Sequence, residues 1–335
     1  MELSERKKTV FSEIVEQYIA TGEPVGSKAV CNALNSICSP ATVRNDMVEL
    51  IELGYLIQPH TSAGRQPSNK GYRLYINSLM KHYDLTDQDK NYINSLLPVY
   101  TDDADEYITH VGEALAELTK CAAITTSSVD AETTLLKVDV IKMGSSTFLI
   151  IVLTSSGMMK NRICRNDFNL SDSQIDLFTS VINKAVCGKK LFEITPALTQ
   201  TIATALGTEI LYLSQLVNCF LLTVQDFVNT KLKYEGESNL LFHRDFSNSN
   251  LIRLINFLGK KESLLSLLFR ESKKTQVLIG EETNEPALSE ASIISVNYNG
   301  TNIVGKIAVI GPTRMDYSHI IPSIEYFASA IEKYF

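Results

Sequence analysis

The sequence predicts an α+β chain of several domains, and three observations predict it. Its 335 residues are more than one hydrophobic core usually organises, and 44% hydrophobic with 21% charged residues is the balance of a globular protein. The first 80 residues read as short helices closed by a Gly/Pro-punctuated loop, whereas β-rich runs and apolar helices alternate over the remainder. Charge is uneven as well. Residues 1–80 hold eight Lys/Arg against eight Asp/Glu and the rest hold 23 against 30, so the net charge of −7 lies wholly outside the N-terminal segment.

The first helix begins after Ser4 and sets Val10, Phe11, Ile14, Val15, Tyr18 and Ile19 on one face; Thr21-Gly22 ends it. Glu23-Pro24-Val25-Gly26 is a rigid turn. Ser27 caps a short second helix, Lys28 to Leu34, and Ser39-Pro40 supplies the N-cap and N1 proline of a third, Pro40 to Leu53. Three helices with such short links make a helix-turn-helix core. The third directs Val43, Met47, Leu50 and Ile51 inward, which leaves Ala41, Asn45 and Val48 on the opposite face with Thr42 and Arg44 beside them. That face suits a DNA major groove, where Asn bonds adenine and a small apolar side chain touches a thymine methyl. Glu49 and Glu52 repel phosphates and limit contact to the first two turns.

Gly54 stops the third helix, Tyr55-Leu56-Ile57 reads as a strand, and Pro59 to Pro67 as a wing. Ser68 caps a helix, Asn69 to His82, with Tyr72, Tyr75, Ile76 and Leu79 on one face. Gly54 to Tyr83 carries four cations, two histidines and no acid, so Arg65, Lys70 and Arg73 are read as phosphate contacts, as is Lys28. The expected DNA-binding set is therefore Lys28, Ser39, Thr42, Arg44 and Asn45 on the helices, His60, Thr61, Ser62 and Arg65 in the wing, and Lys70 and Arg73 beyond it.

A helix from Thr86 to Leu97, capped by Thr86 with Asp89, stops at Pro98; another opens on the acidic run Asp102 to Glu106 and reaches Thr119. A strand, Ala122 to Ser128, follows. Leu136 to Ile141, Thr147 to Thr154 and Met158 to Arg165 form an antiparallel meander, then come helices at Ser171 to Val186, Thr199 to Leu206 and Gly207 to Lys233. The last has more apolar surface than one small layer needs, which predicts a homodimer interface through Leu213, Leu216, Val217, Phe220 and Val224. Helices at Asn250 to Leu258 and Glu262 to Ser272 precede strands Gln276 to Gly280, Ile293 to Tyr298 and Thr301 to Ile310. Asn299-Gly300 signals a two-residue hairpin, and a closing helix, Tyr317 to Phe335, buries Ile320, Ile324, Phe327 and Ile331.

Several function classes are disfavoured. No Walker A or G-x-G-x-x-G pattern is present, and the five histidines fall in no nucleophile or metal pattern, so an enzyme, a cofactor or a metal is not expected. Cys31 and Cys38 with His60 match no common metal module. Six scattered cysteines without a C-x-x-C pair fit a reducing, cytoplasmic setting as buried thiols. The uncharged run Ile210 to Gln225 is 16 residues and holds Ser214, Gln215, Asn218 and Thr223, short of the ~20 apolar residues of a membrane span.

Gly22-Glu23-Pro24-Val25-Gly26-Ser27, Ser39 to Met47, His60 to Arg65 and Lys70-Gly71-Tyr72-Arg73 resemble the HrcA family of bacterial heat-inducible transcription repressors, as do Ile279-Gly280-Glu281-Glu282 and Ile307 to Tyr317. Residues from about 85 to 275 match in length and pattern only, and Gln66 and Thr313 depart from the family's usual aliphatic residue and lysine. The resemblance implies a winged helix-turn-helix at 1–83, a linker helix and first part of a GAF-like α/β domain at 84–130, an inserted α+β dimerisation domain at 131–234, and the second part of the GAF-like domain at 235–335. It also implies a dimer on the inverted-repeat CIRCE operator of chaperone operons, with activity modulated by the GroEL chaperonin. The alternative is a metabolite-responsive winged-helix regulator whose GAF-like domain holds a ligand pocket.

Overall fold

The computed structural model describes residues 3–35, 39–60, 63–101, 103–271, 273–301 and 303–335, without the side chain of Pro196. The chain is a mixed α/β protein with two compact units: Met1–Thr125, Leu232–Tyr298 and Lys306–Ala330 form the first, and Thr126–Lys231, Asn299–Gly305 and Ile331–Phe335 the second. The N-terminal helices thus belong to the same unit as a five-stranded sheet.

Helix α1 (Glu5–Thr21) starts where the Ser4 hydroxyl accepts the Lys7 N–H and stops at Gly22, whose φ of 74° is the left-handed conformation a glycine adopts most cheaply. Its Val10, Phe11, Ile14 and Val15 are fully buried. Helix α2 (Ser27–Ala33) has Gly26 at the N-cap, so Ser27 lies inside the helix rather than capping it. Helix α3 (Pro40–Glu52) opens at Ser39, and strands β1 (Leu56–Ile57) and β2 (Gln66–Pro67) pair antiparallel, Leu56 opposite Pro67. Helix α4 (Asn69–Leu74) is followed by one π turn, Tyr75–Leu79, closed by Met80 N–H on Tyr75 O at 2.8 Å. The helix expected to reach His82 therefore ends early, because the wide turn exhausts its hydrogen-bond ladder.

Helix α5 (Asp87–Leu96) carries the expected capping box of Thr86 and Asp89, and α6 (Ala104–Thr119) starts at Asp103. Strand β3 (Ala122–Val129) enters the sheet. In the second unit β4 (Leu135–Lys142), β5 (Thr147–Thr154) and β6 (Met159–Arg165) form the meander, with Val140 opposite Ile150 and Phe148 opposite Cys164. Val138, Phe148, Ile150 and Val152 of its inner face meet Phe178 and Ile182 of α7 (Asp172–Val186), together with α8 (Pro196–Leu206) and α9 (Ile210–Val228), in one core. The helical stretch Ala197–Val228 is, among the described residues, long and apolar enough to cross a membrane, because α8 runs into α9 through a single tight turn; a third of its most apolar window is buried.

Residues expected to continue α9 instead form β7 (Lys231–Glu235): Asn229-Thr230 breaks the helix, and Lys-Leu-Lys-Tyr-Glu alternates with period two. Helices α10 (Asn248–Leu258) and α11 (Lys261–Leu268) follow, then β8 (Thr275–Ile279), β9 (Ala291–Asn299) and β10 (Ile303–Pro312), and finally α12 (Tyr317–Tyr334). The β9–β10 connection is three residues long, not the expected two, with Gly300 N–H on Ile303 O. Sheet order is β7-β3-β10-β9-β8. One face buries Ala122, Ile124, Ile293 and Ile310 against Leu254, Phe257 and Leu267 of α10 and α11. On the other, the Ser292 hydroxyl lies 2.7 Å from that of Tyr317 at the start of α12.

Candidate nucleic-acid interface

Helix α3 is built into place from inside. Val43, Met47 and Leu50 are buried, and so is Asp46, 1% exposed, whose carboxylate accepts Nε and Nη2 of Arg6 at 2.9 Å each. A bidentate pair between the start of α1 and the middle of α3 fixes both the depth and the rotation of α3. Sequence reasoning missed Asp46; its signal was an acid on the inward face, between Val43 and Leu50. Lys7 of α1 pairs with Glu49, so one of the two acids expected to repel phosphates is already neutralised. At the N-terminus the Ser39 hydroxyl accepts the Thr42 N–H at 3.2 Å and lies 3.0 Å from the Thr42 hydroxyl, which commits both side chains to starting the helix. Ala41, Arg44, Asn45 and Val48 remain exposed on the outward face, and Lys28 is exposed on α2.

The wing is braced by its backbone. Val25 and Arg65 exchange two hydrogen bonds at 2.8 Å, which ties the Gly22–Ser27 turn to the base of the wing. Gly64 is required there, since a Cβ would lie 2.5 Å from Pro24 O. His60 is exposed; Thr61 and Ser62, two further expected wing contacts, lie outside the described residues, as does Cys38. Cys31, Cys121, Cys164 and Cys219 are buried, whereas Cys187 is exposed, contrary to the expectation of burial.

Three cations expected on phosphates are held internally. Arg65 Nη1 donates to Ala63 O at 3.0 Å and Gly64 O at 3.3 Å, and desolvation with the nearby Arg44 charge pushes its pKa below the usual arginine value. Lys70 Nζ donates to Leu53 O at 2.8 Å, at the carboxyl end of α3, and sits 4.8 Å over the Tyr55 ring. Arg73 pairs with Glu282 and donates to Val277 O at 2.6 Å, and the Glu282 bond holds its guanidinium charged above the ordinary arginine value. The local lack of acids that suggested phosphate binding is thus met by backbone carbonyls and by a carboxylate 209 positions away. Among the described members of the expected set Lys28, Ser39, Arg44, Asn45, His60 and Lys70 are exposed, and of these Ser39 and Lys70 are engaged at the two ends of α3.

In the second unit Leu213, Leu216, Val217, Phe220 and Val224 are not surface residues: all are at most 3% exposed in the core of α9 against the meander. Helical phasing turns the other side outward, where Leu211, Ser214, Asn218, Leu222 and Gln225 are exposed without a charge among them, Leu211 at 70%.

Comparison with known proteins gives the family. Residues 105–321 match the model of the HrcA protein C terminal domain. The chain is 31% identical to the heat-inducible transcription repressor HrcA of Acetivibrio thermocellus, covering 100% of this chain and 97% of that protein. Its identity to the protein of the same name from Clostridioides difficile is also 31%, over 99% and 100% of the two chains. A crystal structure of a hypothetical protein shares the fold, with a TM-score of 0.67 at 23% identity over 100% of this chain and 99% of the other. Matched by the family model over more than half its length and by these repressors from end to end, the chain belongs to the HrcA family.

Proposed function

We propose that this protein is a heat-inducible transcription repressor, not an enzyme, that reads an operator in double-stranded DNA. The observation that carries this reading is the outward face of α3: Ala41, Arg44 and Asn45 are exposed at the amino-terminal end of a helix locked from behind by Arg6 and Asp46. Helix α3 is the recognition helix of a winged helix-turn-helix, Asn45 reads an adenine edge, Arg44 and Lys28 approach phosphates, and the wing brings His60, Thr61 and Ser62 to the duplex. Ser39 and Thr42 act by starting the helix, and Arg65 by stiffening the wing.

The repressor acts as a cytoplasmic homodimer on the inverted-repeat CIRCE operator, because two copies related by a two-fold axis meet half-sites a whole number of helical turns apart. The contact lies on the uncharged outward face of α9, Leu211 to Gln225, where a solvated helix ordinarily carries charges. The sheet of the first unit, interrupted in the chain by residues 126–231, is a GAF-like domain, and GroEL modulates the fraction of active dimer. A metabolite-responsive regulator is the weaker reading, since side chains from Ala122 to Ile310 fill the sheet's inner face as a packed core. Operator binding by the purified chain, with and without GroEL after a heat pulse, tests the proposal. Repression that recovers only with GroEL is the expected result; binding that ignores GroEL and follows a small molecule overturns it.

A further inference from the structure

The motifs that set the C-terminal region apart converge on the N-terminal helices within the first unit. Arg314, just after β10, forms a two-pronged pair with Asp245, Nε to Oδ1 at 2.7 Å and Nη2 to Oδ2 at 3.0 Å. Its remaining nitrogen, Nη1, donates to Ile19 O at 2.7 Å, in the last turn of α1, where helix carbonyls lack partners of their own. The guanidinium lies flat against Gly22, where a Cβ would come within 3.2 Å of Arg314 Cζ. A second pin is Arg73 of α4, which reaches Glu282 and Val277 O. Between the two pins the rings of Tyr72 and Tyr317 pack at 5.9 Å, and the Tyr317 hydroxyl donates to Thr313 O at 2.7 Å.

A planar guanidinium held by two carboxylate oxygens and a carbonyl fixes direction as well as distance, which a lysine at the same place does not do. Two such forks together with the aromatic contact restrict how the helix-turn-helix can turn on the sheet. We propose that Arg314 and Arg73 are positioning residues for operator recognition: they fix the orientation of the helix-turn-helix on the sheet and so set the half-site separation that the dimer accepts. This inference rests on the reading of the protein as a dimeric operator binder. A loosely tethered pair of readers follows half-sites moved around the helix, whereas a fixed pair does not, because inserting about 5 base pairs rotates one half-site by half a turn.

The test measures affinity for three duplexes: the inverted repeat at its natural separation, the same repeat lengthened by about half a turn, and a single half-site. The wild-type protein is expected to lose about 30-fold on the lengthened repeat, the scale of one or two mismatched base pairs. The double substitution Arg314→Ala with Arg73→Ala is expected to bind the half-site as the wild type does and to bind the two repeats within about threefold of each other. Arg314→Lys with Glu282→Gln, which keeps side-chain bulk, gives the same flattening should the alanine pair melt too low to assay. A variant that keeps the wild-type discrimination, or loses half-site affinity in step, overturns the inference. A wild-type protein that binds no inverted repeat overturns the dimeric reading beneath it as well.

Discussion

Polar side chains of the N-terminal segment divide into those left exposed, such as Asn45, and those already held inside the fold, such as Arg65 and Arg73. Asn45 is exposed on α3 with its rotation set by the Arg6–Asp46 pair, so Asn45→Ala is expected to cost about 1–3 kcal/mol on the operator and to relax base preference, as read by competition gel shifts on base-substituted sites. Lys70 belongs to the other group. Its ammonium caps the Leu53 carbonyl at the end of α3, so Lys70→Met is expected to lower stability by about 1 kcal/mol and leave the slope of DNA affinity against salt unchanged; a slope reduced by one unit would return Lys70 to the phosphates. Residue identity alone could not separate these cases. The exposed helix face was legible because helical phasing is a local property, and the fates of Arg65 and Arg73 were not, because their partners are carbonyls and a carboxylate brought close only by folding.

Elements were legible where a side chain marks their ends. Ser4, Ser39, Ser68 and Thr86 each accept the backbone N–H three residues on, as capping chemistry requires. No local marker announces the π turn after α4 or the three-residue link before β10, and the short period-two run of β7 is overshadowed by the long helical pattern that leads into it. Gly64 shows how strict such approaches are. Gly64→Ala would press a methyl into the Pro24 carbonyl, and a loss of roughly 2–4 kcal/mol in chemical denaturation is expected, with the wing becoming protease-sensitive. Alkali attacks the same region. Burial pushes the Tyr75 hydroxyl from 10.0 up to about 12 and raises Tyr72 and Tyr317 as well. The folded state therefore keeps protons that the unfolded chain releases, so their contribution is whole below pH 10 and falls as pH climbs toward about 12. Tyrosinate absorbance should rise together with loss of helix in that window, and separate transitions would contradict it.

For the whole molecule, the sequence correctly pointed to a mixed α/β chain of the HrcA family, and it named the helix that carries excess apolar surface while choosing its inner side. That error has a physical origin: an apolar helix face shows the same periodicity whether it meets its own sheet or a second chain. Leu211→Asp, on the outward side, is expected to weaken dimerisation by tenfold or more, about 1.4 kcal/mol, in sedimentation equilibrium, while Leu213→Asp is expected to unfold the unit. The sheet of the first unit has a consequence for synthesis. Strand β3 lies between β7 and β10, so when a ribosome has made residue 129 neither neighbour exists, and β10 begins only at Ile303. At ordinary elongation rates the nascent strand waits on the order of ten to thirty seconds with an unpaired edge. Every newly translated copy passes through that interval, which makes the supply of finished repressor depend on how well the cell shelters growing chains.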